Sequence, residues 1–99
     1  MNIIKKQDGT TLTVALEGRL DTVTSPHLEG ELRTAVNGVT ELIFDLTGLE
    51  YISSAGLRVL LSAQKVMSRQ GKMTIRNVKP EIMEIFEMTG FVDILNIEK

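Results

Sequence analysis

A chain of 99 residues, 42% hydrophobic and 24% charged, has room for one core and the composition of an ordinary globular protein rather than a disordered one. Its 11 basic and 13 acidic side chains leave a formal net charge of −2, without the basic excess that drives binding to nucleic acid or anionic lipid. Cysteine is absent, which excludes disulfides, thiolate metal sites and thiol nucleophiles, and a single histidine leaves little for metal chemistry.

A domain of this size buries only about 60–65% of its unfolded surface, which leaves little room for a deep catalytic cleft and favours a binding or switching module. Met1 to Thr10 carries Lys5, Lys6 and Asp8 and lacks the apolar core of ~7–15 residues of a targeting segment. No stretch approaches the ~20 apolar residues that span a bilayer. The expectation is a cytoplasmic protein with neither a membrane nor a nucleic-acid partner.

In chain order, Asn2–Lys6 and Thr11–Glu17 read as strands, the second with Leu12, Val14 and Leu16 on one face. Asp8-Gly9 between them suits a tight hairpin turn, because both residues tolerate positive φ. Ser25-Pro26 marks a helix start, with the serine as cap and proline at the first helical position. Leu28, Leu32, Ala35 and Val36 recur at helical spacing, and Gly38 closes that element. Glu41–Leu46 is a nearly continuous apolar run, as in a central strand, followed by a short polar loop.

A second helix runs to Gln70 on Leu57, Leu60, Leu61, Ala63, Val66 and Met67, with Gly71 as its stop. Lys72–Arg76 alternates as a strand. Pro80-Glu81 opens a third helix through Ile82, Ile85, Phe86 and Met88, stopped by Gly90, and Val92–Ile97 reads as a last strand. The predicted fold is α/β in the order β-β-α-β-α-β-α-β, a mixed sheet with helices packed on it, in a single domain over residues 1–99. Met67, Met73, Met83 and Met88 are expected mostly in the core.

The stretch Asp45–Leu57 carries the chemistry. A strand gives way to a helix start at Ser53-Ser54, where free N–H groups and a partial positive charge gather. A hydroxyl there is either a cap or a place where an added phosphate is well accommodated. Gly56 would let another backbone approach closely.

Ser53-Ser54-Ala55-Gly56-Leu57 resembles the signature of the STAS domains, and specifically of the small bacterial anti-sigma factor antagonists. That pattern is Asp-Ser-Ser/Thr-Gly-Leu opening a helix. Gly18-Arg19-Leu20-Asp21 is similar to the family's Gly-x-Leu-Asp after the second strand, and Phe86-Glu87-Met88-Thr89-Gly90-Phe91 to its third landmark. Together the three span essentially the whole chain. The resemblance implies partner switching. The unmodified antagonist binds an anti-sigma factor that is also a serine kinase and thereby frees the sigma factor. Phosphorylation of the serine matching Ser54 ends the interaction, and a phosphatase resets it. Ser53 stands in place of the signature Asp and Ala55 in place of the second hydroxyl residue, while the acceptor hydroxyl is kept. A partner-binding surface is expected around Asp21, Ser53, Ser54, Ala55, Gly56 and Arg58, with Asp21 and Ser54 placed there by the resemblance and Arg58 by its position after the helix start. For Arg58 the alternatives are a solvated helical arginine or a cation that offsets phosphate or meets an acidic partner. Thr22 and Thr24 read as a solvated loop and helix cap.

Other chemistries find no support in the residues. Ile52-Ser53-Ser54-Ala55-Gly56 lacks the first glycine of G-x-S-x-G, and His27 precedes the serines rather than following them. Neither G-x-G-x-x-G nor G-x-x-x-x-G-K-[ST] occurs, so no dinucleotide or nucleotide cofactor is signalled. The carboxylate pairs Glu29 with Glu31 and Asp45 with Glu50 have no spacing that selects a metal. The expectation is a protein that is not an enzyme and needs no cofactor. The alternative to the switch is a constitutive STAS adaptor subunit of a transport or signalling complex.

Overall fold

The computed structural model describes residues 1–98. A four-stranded sheet in the order β1-β2-β3-β4 is built from β1 (Asn2–Asp8), β2 (Thr11–Leu20), β3 (Glu41–Ile52) and β4 (Lys72–Arg76). Helices α1 (Ser25–Ala35), α2 (Ser54–Gln70) and α3 (Pro80–Thr89) alternate with the strands from β2 onward. The hairpin β1-β2 is antiparallel, whereas β2-β3 and β3-β4 are parallel, as helical crossovers require.

The apolar alternation in β2 sets which side of the sheet is buried. Leu12 and Val14 pair in register with Leu42 and Phe44 on β3, Met73 and Ile75 of β4 continue the same rows, and Leu16 falls at an irregularity in the pairing. Leu28 and Leu32 of α1, Leu60 and Met67 of α2, and Ile82 and Phe86 of α3 close over them in one core cluster. Lys5, on the helix side of β1, reaches Glu31 of α1 at 2.8 Å.

The hairpin turns one residue later than expected. Asp8 already pairs with Thr11, so Gly9 and Thr10 form the loop, and only Gly9 has a positive φ, 64°. That is the geometry of a II′ turn, with glycine first, rather than the I′ turn that Asp8-Gly9 suggests.

Strands β2 and β3 also run further than the apolar pattern indicates. Instead of a polar loop after Leu46, β3 continues to Ile52, paired with β2 out to Leu20↔Ile52. Irregularities between Ala15 and Glu17 and between Gly18 and Arg19 keep this pairing alive while interrupting the period of two. A β-carbon at Gly48 would come within 2.9 Å of Glu17 Cγ, so a larger residue there would make Glu17 shift.

The expected last strand Val92–Ile97 is not formed. Gly90, at φ 79°, turns the chain into a short 3-10 helix (Phe91–Asp93), and the Ile94 and Leu95 amides donate back to the Phe91 carbonyl. Those backbone groups are therefore lost to pairing. What remains is a single parallel bridge between Ile75 and Ile97. The observed order is β-β-α-β-α-β-α. Met88, expected inside, is 79% exposed on the outer side of α3, and Val66 of α2 is also exposed. Gly71 ends α2, as expected, and does so in extended backbone (φ 173°). The Thr40 carbonyl lies where its β-carbon would be.

Candidate functional site

The carboxyl ends of β2 and β3 lie side by side, and each feeds directly into a helix start. Their last register pair is Leu20↔Ile52, and one residue on the Ser53 amide donates to the Leu20 carbonyl at 2.9 Å. Asp21 and the first turn of α2 are thereby brought to one edge of the molecule, as ligand sites are in open α/β sheets.

Ser53 and Ser54 have different tasks. Ser53 is the N-cap of α2: its backbone is extended, its hydroxyl accepts from the Gly56 amide at 3.4 Å, and its carbonyl accepts from the Leu57 amide at 3.0 Å. Ser54 is the first helical residue and is exposed, with no hydrogen bond to its hydroxyl among the described residues. The cap chemistry and the free hydroxyl thus belong to two adjacent serines.

Ala55 is half-buried and Arg58 exposed. Gly56 is buried, and what approaches it closely belongs to this chain. A β-carbon there would lie 2.8 Å from both Leu20 Cγ and Ile52 Cγ1. Glycine lets α2 settle onto the strand ends, so this position serves packing rather than the close approach of a partner's backbone.

Asp21 organises the loop after β2. Its Oδ1 accepts from the Val23 and Thr24 amides, each at 3.0 Å, and from the Thr24 hydroxyl at 3.2 Å. Thr24 completes the buckle: its one hydroxyl proton is shared between Asp21 Oδ1 and the nearer Arg19 carbonyl at 2.8 Å, and its oxygen accepts from the Asp21 amide at 2.9 Å. The Thr24 amide above all holds the Asp21 carboxyl below its usual value. Desolvation opposes this, and the Val23 amide, the Thr24 hydroxyl and the Arg19 charge assist it.

Thr24 is therefore a loop clasp rather than a solvated residue, and the helix start is not capped by Ser25. Thr24 occupies the cap position, and Ser25 is 2% exposed with its hydroxyl unpartnered. The available signal was Asp21-x-x-Thr24 itself, a spacing at which an acidic side chain bonds amides two and three residues on. Val23, between them, is 84% exposed.

Beside this loop the Arg19 guanidinium lies 4.3 Å over the Tyr51 ring and 3.9 Å from Asp21 Oδ2. Arg19 and Tyr51 are register partners across β2 and β3. The pair was invisible in the sequence because Tyr51 falls in a stretch that reads as loop.

The other carboxylates lie elsewhere. Asp45, on β3, accepts from the Thr47 amide (3.0 Å) and hydroxyl (2.6 Å) and from Asn77 Nδ2 at 3.2 Å. Desolvation would raise its pKa, yet the Thr47 and Asn77 hydrogen bonds and the Arg76 charge hold it below the usual value. His27 is exposed on α1, 3.5 Å from Glu31. No group of three His, Cys, Asp or Glu side chains suited to a metal occurs among the described residues, and no helix there is long and apolar enough to cross a membrane.

Comparison with known proteins identifies the family and the fold. The STAS domain family profile matches residues 2–99, and the chain belongs to that family. BtrV of Bordetella bronchiseptica, named as an anti-sigma factor antagonist, is 39% identical over 94 residues, covering 93% of this chain and 80% of BtrV. The anti-sigma-B factor antagonist of Listeria monocytogenes is 31% identical over 103 residues, covering 99% of this chain and 90% of that protein. Among solved structures, an anti-sigma factor antagonist from Mycobacterium paratuberculosis superposes with a TM-score of 0.87 at 21% identity, over 97% of this chain and 83% of that one. Unphosphorylated SpoIIAA superposes with a TM-score of 0.78 at 18% identity, over 99% and 88%.

Proposed function

We propose that this protein is an anti-sigma factor antagonist working as a cytoplasmic partner switch, a single STAS unit over residues 1–99 that binds rather than catalyses. The unmodified form binds an anti-sigma factor that is also a serine kinase and so releases the sigma factor. That kinase transfers the γ-phosphoryl group of ATP to the Ser54 oxygen, with loss of the hydroxyl proton and release of ADP, and binding ends. A phosphatase hydrolyses the ester and resets the switch.

The observation that carries this reading is the division of labour between the two serines. Because Ser53 supplies the cap, the Ser54 hydroxyl is exposed at the helix start, where an added phosphate meets free N–H groups and the positive end of the helix dipole. The partner surface comprises Ser54 with Ser53, Ala55 and Arg58 on one side and the ordered Asp21 loop on the other. Gly56 contributes from beneath, by seating α2. The likeness to BtrV and to the Listeria anti-sigma-B factor antagonist supports the assignment. SpoIIAA, of the same fold, is described in both unphosphorylated and phosphorylated forms.

A second reading rests on Ser53 standing where the signature has Asp: a constitutive STAS adaptor in a transport or signalling complex. One experiment separates the two. The protein is mixed with a candidate anti-sigma factor kinase, with and without ATP, and analysed by pull-down and intact-mass spectrometry with peptide mapping. Capture without ATP, with release and one phosphate on Ser54 when ATP is present, supports the switch. Capture that ATP neither releases nor modifies supports the adaptor.

A further inference from the structure

We propose that Arg58 takes up the phosphate on Ser54, so that part of the added charge is offset within helix α2 itself. This rests on the reading of Ser54 as the acceptor and adds what the chain does with the charge afterwards.

Positions 54 and 58 are four residues apart on a continuous helix and both are exposed. Residues at that spacing share a face, and helical side chains lean toward the N-terminus, so a long side chain at 58 covers the turn that begins at 54. An anion N-terminal to a cation is also the more favourable order for such a pair.

The charge inventory around the site singles out this arginine. Helix α2 carries Arg58, Lys65 and Arg69 in its 17 residues and has no Asp or Glu, so nothing on its own element claims Arg58. Its first turn lacks the acidic residue that helix starts favour. Arg19, the other cation at the site, is already engaged, stacked on Tyr51 and close to Asp21. The ion pairs elsewhere join Lys5 and His27 to Glu31, Arg33 to Glu29, Lys72 to Glu41 and Arg76 to Glu98; among the described residues none involves Arg58. A phosphate on Ser54 would be the first anion on α2, one turn from an uncommitted guanidinium whose fork of N–H groups fits phosphate oxygens.

The test uses the full chain with phosphoserine encoded genetically at position 54, which requires no kinase. The phosphate is titrated by 31P NMR near its second pKa of about 6. Arg58→Gln is expected to bind that proton about two- to threefold more tightly than the wild type, roughly 0.3–0.5 higher in pKa. Arg58→Lys is expected to recover most of the difference, and high salt to shrink it. Arg19→Gln serves as the control and is expected to titrate with the wild type. Superimposed curves for Arg58→Gln and the wild type, or an equal shift from Arg19→Gln, would overturn the assignment. A kinase that leaves Ser54 unmodified would overturn the acceptor reading instead, and mass spectrometry records that separately.

Discussion

Leu20 closes β2 directly beneath Gly56 of α2: a methyl group on Gly56 would come within 2.8 Å of Leu20 Cγ. The same methyl would press equally on Ile52 Cγ1, at the end of β3. Two strand ends and a helix start are thus locked by the absence of one side chain. Gly56→Ala gains up to about 1 kcal/mol of helix propensity but forces overpacking that costs about 1–3 kcal/mol. A net destabilisation of about 1 kcal/mol is expected, read as a lower urea midpoint at unchanged slope. A gain in stability would show that the strand ends yield and that the contact does not position the site.

The two serines are expected to separate in the same measurement. Ser53→Ala removes the hydroxyl that accepts from Gly56 and is expected to cost ~1 kcal/mol. Ser54→Ala removes an exposed group and is expected to stay within about 0.5 kcal/mol of wild type. Ser53→Asp, which restores the signature residue, keeps a good cap and adds a negative charge at the helix start, so it is expected to fold at least as stably as wild type. If Ser54→Ala were the costlier change, the cap would lie on the wrong serine.

Ser25 offers a test of opposite sign. As a cap, its loss would cost ~1 kcal/mol. In the structure its hydroxyl is buried without a partner, a state that carries a desolvation penalty. Ser25→Ala is therefore expected to raise the urea midpoint, by the equivalent of up to about 1 kcal/mol. A fall of that size would restore Ser25 as the cap.

That reversal shows where the sequence was readable and where it was not. Periodicity located the helices and the buried face of β2, because Leu12, Val14 and Leu16 alternate without interruption. It failed where irregular pairing breaks the period. Thr47-Gly48-Leu49-Glu50-Tyr51 reads as loop, yet it pairs with β2 as strand and brings Tyr51 under Arg19. At the C-terminus the apolar run Val92–Ile97 resembles a strand, but Gly90 redirects it into a helical turn that uses its amides. The candidate site is legible in the sequence only as two separate stretches, around Asp21 and around Ser54. Their juxtaposition depends on the parallel register of β2 with β3, a long-range pairing that no local pattern records.

Acid is expected to act through Asp21, in the loop after β2, and Asp45, on β3. The folded-state pKa of Asp21 lies below its ordinary value, chiefly because the Thr24 amide bonds the ionised form. A group so depressed stabilises the fold above its unfolded pKa, near 4, and loses that contribution as pH falls through the folded pKa. Asp45 has the same sign, its hydrogen bonds from Thr47 and Asn77 outweighing desolvation. Melting temperature is thus expected to be flat above about pH 5 and to fall below pH 4. Asp21→Asn and Asp45→Asn are each expected to flatten that acid slope. A slope unchanged in both variants would locate the acid sensitivity in other groups.

Binding is expected to respond to charge at Ser54 far more than folding does. The hydroxyl sits on an exposed first turn flanked by Ala55, a small side chain that lets a partner surface come close. A carboxylate or phosphate enclosed there would cost several kcal/mol to desolvate even with Arg58 beside it, because burial of a charge pair is seldom repaid by its own attraction. Asp21, ionised and fixed by its amides on the neighbouring loop, adds like-charge repulsion. A loss of ~3 kcal/mol corresponds to more than a roughly hundredfold weakening. Titration calorimetry against the anti-sigma factor is expected to show Ser54→Ala binding close to wild type, with no response to ATP. Ser54→Asp is expected to lose much of the affinity, and its melting temperature to stay near that of the wild type, because an anion at a helix start gains ~0.3–1 kcal/mol. Undiminished binding by Ser54→Asp would rule out charge exclusion and favour the adaptor. Lost binding together with a large drop in melting temperature would mean that the switch acts by unfolding the site.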